Sequence, residues 1–513
     1  MAEARLVIQL HGAEPTGDNR GAYHHRVANS HLLFEGQARY RLRTLSLDAP
    51  AFPALAQAGA LLVIHDLGAP ELRPLILRRR EAGLVTLFEC ADQVGAGTAP
   101  WLPPAHPRSS SLGWQSILAT AALCDGLQVS TPYLAERLRP VNPRSAVFPN
   151  YVPVPDHLPP KPARFTFGWA GSRSHRDDLA LIAPTLVAFC RRHPEVRCRV
   201  MGDPSTFQPL FPDLGPEQFQ MVPHGSYEDY LRFLSALHVG IAPLAATPFN
   251  LGRTDLKFAE FTACGVASLL ADHPVYRPHH PHTASYGDPG QLEEQLETLH
   301  REPGRRAGLV RAALDWLGRE RSRERLVADR MAFYDGFPGQ AGRCLPPETP
   351  ASLTARMGEA WRRYGQGHPL EALALCRDLL AERPGHARAR WLGTLCLEAA
   401  GRDEELLAWA GPGLADPLYE DLTAERACLA ARRIRPAEAS GHLQRIRSPL
   451  IRLRLQAAQV PDKPAFYGAI LAEDPFDFFA LGASIRLLAR RDPAHPSLPA
   501  LRARLRCLEG KGC

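Results

Sequence analysis

The stretch "FNLGRTDLKFAEFTACGVASLLAD", residues 249–272, sets two cations and two acids around the start of an apolar run. A helix is expected from about Asp255 to Cys264, which puts Arg253 and Lys257 at its start, the end where a structural helix favours acids over bases. Cations there suit an anionic ligand. Lys257 and Glu260 are three residues apart and share a helical face, and Asn250 and Asp255 lie in the same stretch. A surface ion pair between Lys257 and Glu260 is the plainer alternative, worth under ~1 kcal/mol.

A second constellation is "FGWAGSRSHRDD", residues 167–178. An apolar strand pattern runs through Gly171 and Ser172 into a helix expected near Asp177, so backbone N–H groups and a helix N-terminus face one spot, a setting for an anion. Arg173, His175 and Arg176 add charge to it. A plain strand-to-helix turn with solvent-facing arginines is the alternative here. The loop "HGAEPTGDNRGAY" (11–23) repeats the arrangement in a longer form, with Asp18 inside it and His24 and His25 just beyond. His65 and Asp66 end the strand pattern "ALLVIHD", and Glu89 and Asp92 follow in "LFECADQV". His65, Asp18 and Asp92 are therefore further catalytic candidates.

Positioning these groups requires parallel strands, whose carboxyl ends collect ligands in open α/β sheets. Strands are expected at 5–11, 60–66, 84–90, 126–130 and 145–150, and again at 164–171, 195–203, 238–244 and 266–272, each followed by a helix-like or polar segment. The proline-rich "VPVPDHLPPKPA" (152–163) separates the two sets and reads as a linker. From about 304 to 335, and after "FPGQAGRCLPPETP" (337–350), the pattern is helical to the end. Ala372 to Pro384, with Trp391 and "AAGRD" beyond, has the look of a tetratricopeptide unit and most of a second, whose period is ~34 residues. Three domains are thus expected, at 1–155, 156–340 and 345–513: two Rossmann-like α/β domains and an all-α helical-repeat domain.

Composition limits the function classes. With 45% hydrophobic and 22% charged residues the 513-residue chain is an ordinary globular protein. Its net charge of +6 gives no electrostatic case for nucleic acid. Basic runs such as Arg78-Arg79-Arg80 read as solvated helix faces. No apolar run approaches the ~20 residues of a membrane span, and eleven scattered cysteines without a C-x-x-C pair fit buried, reduced thiols and a cytoplasmic location. Peripheral membrane contact stays open.

The stretch "NLGRTDLKFAEFTACGVASLLAD" resembles the nucleotide-sugar signature of GT-B glycosyltransferases of the retaining family 4 group, an acid followed after seven residues by "E-A-x-A-x-G-x-P-V-V-A-S". "FGWAGSRSHRDDLALIAPTL" resembles the phosphate-binding turn that opens the second domain in those proteins. The likeness covers roughly residues 1–335 and is strongest from 164 to 275. It implies that Glu260 holds the donor ribose and that Arg173 and Lys257 meet the diphosphate. The family's first acid falls on Gly252, so its role near the sugar is vacant or passes to Asp255.

The resemblance implies a hexosyltransferase that moves a sugar from a nucleotide-diphosphate-sugar to a protein or glycan acceptor, with the donor in the cleft between two Rossmann-like domains. Donor-side residues are Gly171, Ser172, Arg173, His175, Asn250, Arg253, Asp255, Lys257 and Glu260. No cofactor and no metal are expected, because a helix terminus with Arg and Lys can stabilise a leaving diphosphate and the chain contains no D-x-D motif. The helical repeats are expected to recruit the acceptor. The rival is a catalytically degenerate scaffold whose repeats bind a protein partner, which the glycine at position 252 keeps open.

Overall fold

The computed structural model describes residues 4–12, 20–92, 111–338, 351–411, 418–456 and 463–509. Its α/β part contains two six-stranded sheets in which every strand pairing is parallel. The first sheet is built from β1 (Arg5–His11), β2 (Tyr40–Ser46), β3 (Leu61–His65), β4 (Thr86–Cys90), β5 (Gly126–Val129) and β6 (Ser145–Val147), in the order β2-β1-β3-β4-β5-β6. The second is built from β7 (Thr166–Ala170), β8 (Arg197–Gly202), β9 (Phe219–Pro223), β10 (Val239–Ala242), β11 (Ala267–Ala271) and β12 (Ala284–Tyr286), in the order β12-β11-β10-β7-β8-β9. Central strands such as β3, β4 and β7 are buried at every position, as a sheet covered by helices on both faces requires.

All nine expected strands form. The three that apolar pattern did not announce, β2, β9 and β12, are all at sheet edges. An edge strand is covered less completely, so its sequence carries polar residues: β2 reads "YRLRTLS" and β9 "FQMVP", each with exposed or half-buried positions.

Contacts divide the chain into two compact units that do not follow the three consecutive segments expected. One comprises Met1–Thr16, Phe34–Val147 and Phe333–Cys513, the other Gly17–Leu33 and Phe148–Ala332. The helical C-terminal region belongs to the first unit because it shares that unit's core. Trp391, Tyr419, Phe476 and Leu481 lie in one buried cluster with Phe52, Leu72, Trp114 and Leu127. Polar bonds reinforce the seam. Arg388 is buried, donates from Nε to Glu71 Oε1 at 2.8 Å and pairs with Asp48. Trp114 Nε1 donates to the Cys507 carbonyl at 3.0 Å.

Two expectations are corrected in this unit. Arg79 is not on a solvated face: it is 0% exposed and donates to the carbonyls of Leu55, Ala58, Ala60 and Val85 and to Thr86 Oγ1. A guanidinium has five donors and survives burial only when they are met. Among the described residues, eight cysteines are free and buried as expected, but Cys507 is disulfide-bonded. Among the described residues, no helix is long and apolar enough to cross a membrane.

Candidate functional site

In the second sheet, β7 and β10 are neighbours, while β8 lies on the far side of β7 and β11 on the far side of β10. The strand order therefore reverses between them, and the crevice outside their carboxyl ends is the position where such sheets bind ligands. Both constellations singled out above open there.

Gly171 and Ser172 follow β7, leading into a 3-10 turn, Arg173–His175, and the Arg176–Ala180 helix. A Cβ on Gly171 would stand 2.5 Å from the Trp169 indole, so packing alone already requires glycine there. After β10 the chain makes the turn Pro248–Leu251 and then the helix Leu256–Ala263, which has no acid in its first turn. That helix ends at Gly265, φ +63°, with Val266 N–H donating to the Phe261 carbonyl at 2.9 Å, a left-handed stop that glycine makes easily.

The two turns are tied together by Asp178, which is 3% exposed. Its Oδ1 accepts from Ala245 N–H at 2.8 Å and Asn250 Nδ2 at 3.0 Å, and its Oδ2 meets His175 Nδ1 at 2.8 Å. Asn250 and His175 are thus engaged in holding the scaffold. Burial, with Arg253 beside it, pushes His175 down to about 4 despite Asp178. The histidine expected to add positive charge is neutral near pH 7.

Two cations remain at the crevice. Arg253 Nη2 donates to Ser174 Oγ at 2.7 Å, its guanidinium lies 4.5 Å from the Phe249 ring centroid, and its buried Nε has no hydrogen-bond partner. Lys257 Nζ donates to the Tyr230 hydroxyl at 3.1 Å. Among the described residues neither forms an ion pair with a carboxylate. Burial lowers the Lys257 pKa, with Glu260 acting against it. Arg173 is more exposed and its Nε lies 3.2 Å from Asp203 Oδ2.

Glu260 is 1% exposed. Its Oε2 accepts from Tyr230 at 2.5 Å, and its Oε1 lies 3.1 Å from His25 Nε2. Burial acts to raise its pKa, but His25, Lys257 and Tyr230 outweigh that and leave it below the ordinary value. The simple Lys257–Glu260 pair is replaced by a relay through Tyr230. That tyrosine sits on the helix Tyr227–Ser235, started by a capping box between Ser226 and Asp229. "SYED" is a capping-box signal that could have marked that helix start, but nothing in the sequence marks Tyr230 as a partner of Glu260.

His25 comes from a π-helical turn, His24–Ala28, between two short α-helical pieces. Such turns are rare and cluster at functional sites. Arg26 fixes it by donating to the Phe148 carbonyl at 2.7 Å and to Asn150 Oδ1 at 2.9 Å, and Asn150 Nδ2 donates in turn to Thr254 Oγ1 at 3.1 Å. His24 packs against Tyr227 with ring centroids 3.5 Å apart.

Asp255 is taken up by partners on other elements. Its Oδ2 meets His279 Nε2 at 2.6 Å and pairs with Arg321. Burial works upward on its pKa, and Arg321 and His279 hold it well below the carboxylate range.

Of the catalytic candidates, His65 and Asp92 lie in the other compact unit. His65 ends β3 in register with Glu89 of β4, and Asp66, at φ 49°, accepts from Ala91 N–H at 3.2 Å. Asp92 follows β4, so His65 and Asp92 share the carboxyl edge of the first sheet. Asp18 lies outside the described residues.

No protein-family model matches the chain, and no curated protein matches it in sequence. Among solved structures it is similar to an S. aureus TarM variant in complex with fondaparinux, alpha-GlcNAc-glycerol and UDP, at 9% identity and a TM-score of 0.41, over 54% of this chain and 55% of that one. The chain thus spans about half the length of that structure. It is also similar to Anabaena HepE in complex with UDP-glucose, at 11% identity and a TM-score of 0.45, covering 64% of this chain and 98% of that one. A UDP-forming trehalose-phosphate synthase from Burkholderia xenovorans matches at 12% identity and a TM-score of 0.41, over 64% of this chain and 99% of that one.

Proposed function

We propose that the protein is a GT-B glycosyltransferase that transfers a hexose from a nucleotide-diphosphate-sugar to a protein or glycan acceptor. The observation that carries this reading is the pair Arg253 and Lys257. Both cations sit at the strand-order reversal of the second sheet, and neither is neutralised by a carboxylate ion pair among the described residues. Arg253 also keeps a buried Nε without a partner. A desolvated guanidinium with an unmet donor is costly unless an anion completes it.

In this reading the diphosphate lies against Arg253, Lys257, the Gly171–Ser172 turn and the start of the Leu256–Ala263 helix. These groups are fixed before the reaction, so they can stabilise the charge that develops on the leaving diphosphate without reorganising. Binding needs no divalent metal, since two side-chain cations and a helix terminus supply the charge. Glu260 accepts from the ribose hydroxyls after His25 yields its place at Oε1. Retention at the anomeric carbon and acceptor recruitment by tetratricopeptide-like hairpins of the helical region belong to the same proposal, as do roles for His65 and Asp92 at the acceptor.

Isothermal titration with UDP-, GDP-, CDP- and ADP-sugars in the presence of EDTA tests it. One nucleotide sugar is expected to bind, and Glu260→Gln is expected to weaken it by about tenfold or more, the equivalent of 1.4 kcal/mol. The full enclosure of Glu260 favours a scaffold instead. Absence of binding to any of the four, or equal affinities for wild type and Glu260→Gln, would make that the better account.

A further inference from the structure

At the opposite, N-terminal edge of the second sheet, a cluster of imidazoles and carboxylates stands apart from the anion site. The helix Ala183–Arg192 ends at His193, Glu195 precedes β8, and the helix Pro289–Arg301 carries Glu297 and His300 three residues apart on one face. His193 Nε2 lies 2.6 Å from Glu297 Oε1, and His193 Nδ1 lies 3.3 Å from Glu195 Oε1. His300 Nε2 lies 3.4 Å from the same Glu195 oxygen. Ligand atoms of His193, Glu297 and His300 all fall within 4.8 Å of one another. Two buried polar atoms of the cluster, His300 Nδ1 and Glu297 Oε2, make no hydrogen bond.

We propose that His193, Glu297 and His300, with Glu195 as the fourth ligand, bind a divalent transition-metal ion of the zinc type. Two imidazoles and two carboxylates are a donor set that zinc accepts. Tetrahedral bonds of 2.0–2.1 Å place ligand atoms about 3.3 Å apart, so His193, Glu297 and His300 have to close by at most about 1.5 Å. His300 Nδ1, which has no hydrogen bond, and Glu297 Oε2, which meets only the exposed Arg301, provide the lone pairs. Glu195 is an exposed side chain at 59% and can swing inward. Of the nearby cations, Arg192 is paired with Glu293 at 2.7 Å, and Arg301, 3.1 Å from Glu297 Oε2, is 71% exposed and free to turn away.

The role is structural. The ion joins the ends of two helices that pack on one another, beside Phe189 and Phe165, whose rings lie 4.7 Å from His193 and 4.9 Å from His300. It takes no part in nucleotide binding, which the EDTA titrations above isolate.

The full chain, stripped with EDTA and dialysed, is titrated with Zn²⁺ by calorimetry and with Co²⁺ by visible absorption. One Zn²⁺ per chain should bind, the Co²⁺ form should show the intense bands of a tetrahedral site, and Zn²⁺ should raise the melting temperature. His300→Gln and Glu195→Gln should each weaken Zn²⁺ at least tenfold and abolish the shift, while their metal-free melting temperatures and nucleotide affinities stay near wild type. Glu195→Gln, an exposed change, keeps the test valid if His300→Gln fails to fold. Uptake unchanged by Glu195→Gln, an octahedral Co²⁺ spectrum or no stabilisation by Zn²⁺ would reduce the cluster to a histidine–carboxylate staple and overturn the proposal.

Discussion

His25 Nε2 stands 3.1 Å from Glu260 Oε1 in a setting where the histidine is 7% and the glutamate 1% exposed. With Tyr230 on the other oxygen, the carboxylate that the family resemblance assigns to the donor ribose already has a partner on each atom. A ligand reaches it only by replacing one of them. His25 is the partner to be replaced, because Tyr230 is anchored mid-helix and also bonds Lys257.

His25→Ala is therefore expected to move stability and affinity in opposite directions. Removing one partner of a buried charge costs about 1–3 kcal/mol, so the melting temperature falls. The ligand no longer competes with the imidazole, and affinity for the nucleotide rises by up to about tenfold. Paired thermal melts and calorimetry with UDP check this. Weaker binding by the variant would place His25 among the ligand contacts instead.

Arg253 and Lys257 are expected to act on the diphosphate and not on the nucleoside. Charge-assisted bonds of ~1.5–3 kcal/mol predict a ten- to hundredfold loss of UDP affinity in Arg253→Ala and in Lys257→Met, with uridine binding unchanged. Arg253→Lys keeps the charge but loses the planar fork, and should recover only part of the loss. An equal fall for UDP and uridine would mean that these side chains shape the crevice without contacting phosphate.

Strand-end glycines and helix-start cations are local signals, so the turns after β7 and β10 that carry Gly171, Arg253, Lys257 and Glu260 were marked in the sequence. The partners of His175, Asn250 and Asp255 were not legible: each is taken up by a distant residue, Asp178 or the Arg321–His279 pair, and spacing carries no record of such partners. His25 and Tyr230 were missed as Glu260 partners for the same reason. Strand periodicity identified the covered strands and failed at β2, β9 and β12, where edges dilute the apolar pattern. The core that the helical region shares with the first sheet was not legible, because the residues that join them, such as Trp391 and Phe476, look like ordinary helix interior until packed.

Three buried histidines should make the fold sensitive to mild acid. His11, His24 and His175 are each pushed by burial from 6.5 down to about 4. Between those values the unfolded chain takes up protons that the folded chain refuses, so stability rises with pH across the window. It is complete above pH 6.5 and declines as pH falls toward 4, by at most about 3 kcal/mol per fully shifted histidine, and by less for the half-buried His24, which solvent screens. Melting temperatures should be flat from pH 8 to 7 and drop steadily from 6.5 to 4.5, with a shallower drop in His11→Gln. A flat profile down to pH 4.5 would contradict the burial of these neutral rings.

The last expectation concerns Arg388, where the helical region meets the first sheet's helices. Its guanidinium is 8% exposed, pairs with Asp48 and Glu71, and lies 4.8 Å from the Trp361 ring centroid. Removing one member of a buried ion group leaves an uncompensated charge and costs about 3–5 kcal/mol, whereas replacing the whole group by apolar residues of similar volume is often neutral. Arg388→Met alone is thus expected to destabilise the chain strongly, and the triple change Arg388→Met, Asp48→Leu, Glu71→Leu to recover most of the loss. A chain ending at residue 338 would strip Trp391, Tyr419, Phe476 and Leu481 from the shared core and should be insoluble or molten, without cooperative unfolding. Urea unfolding of the single and triple variants, with the truncated chain alongside, separates the possibilities: a well-folded truncated chain, or a triple variant no better than Arg388→Met, would mean that the helical region is an independent domain resting on the sheet.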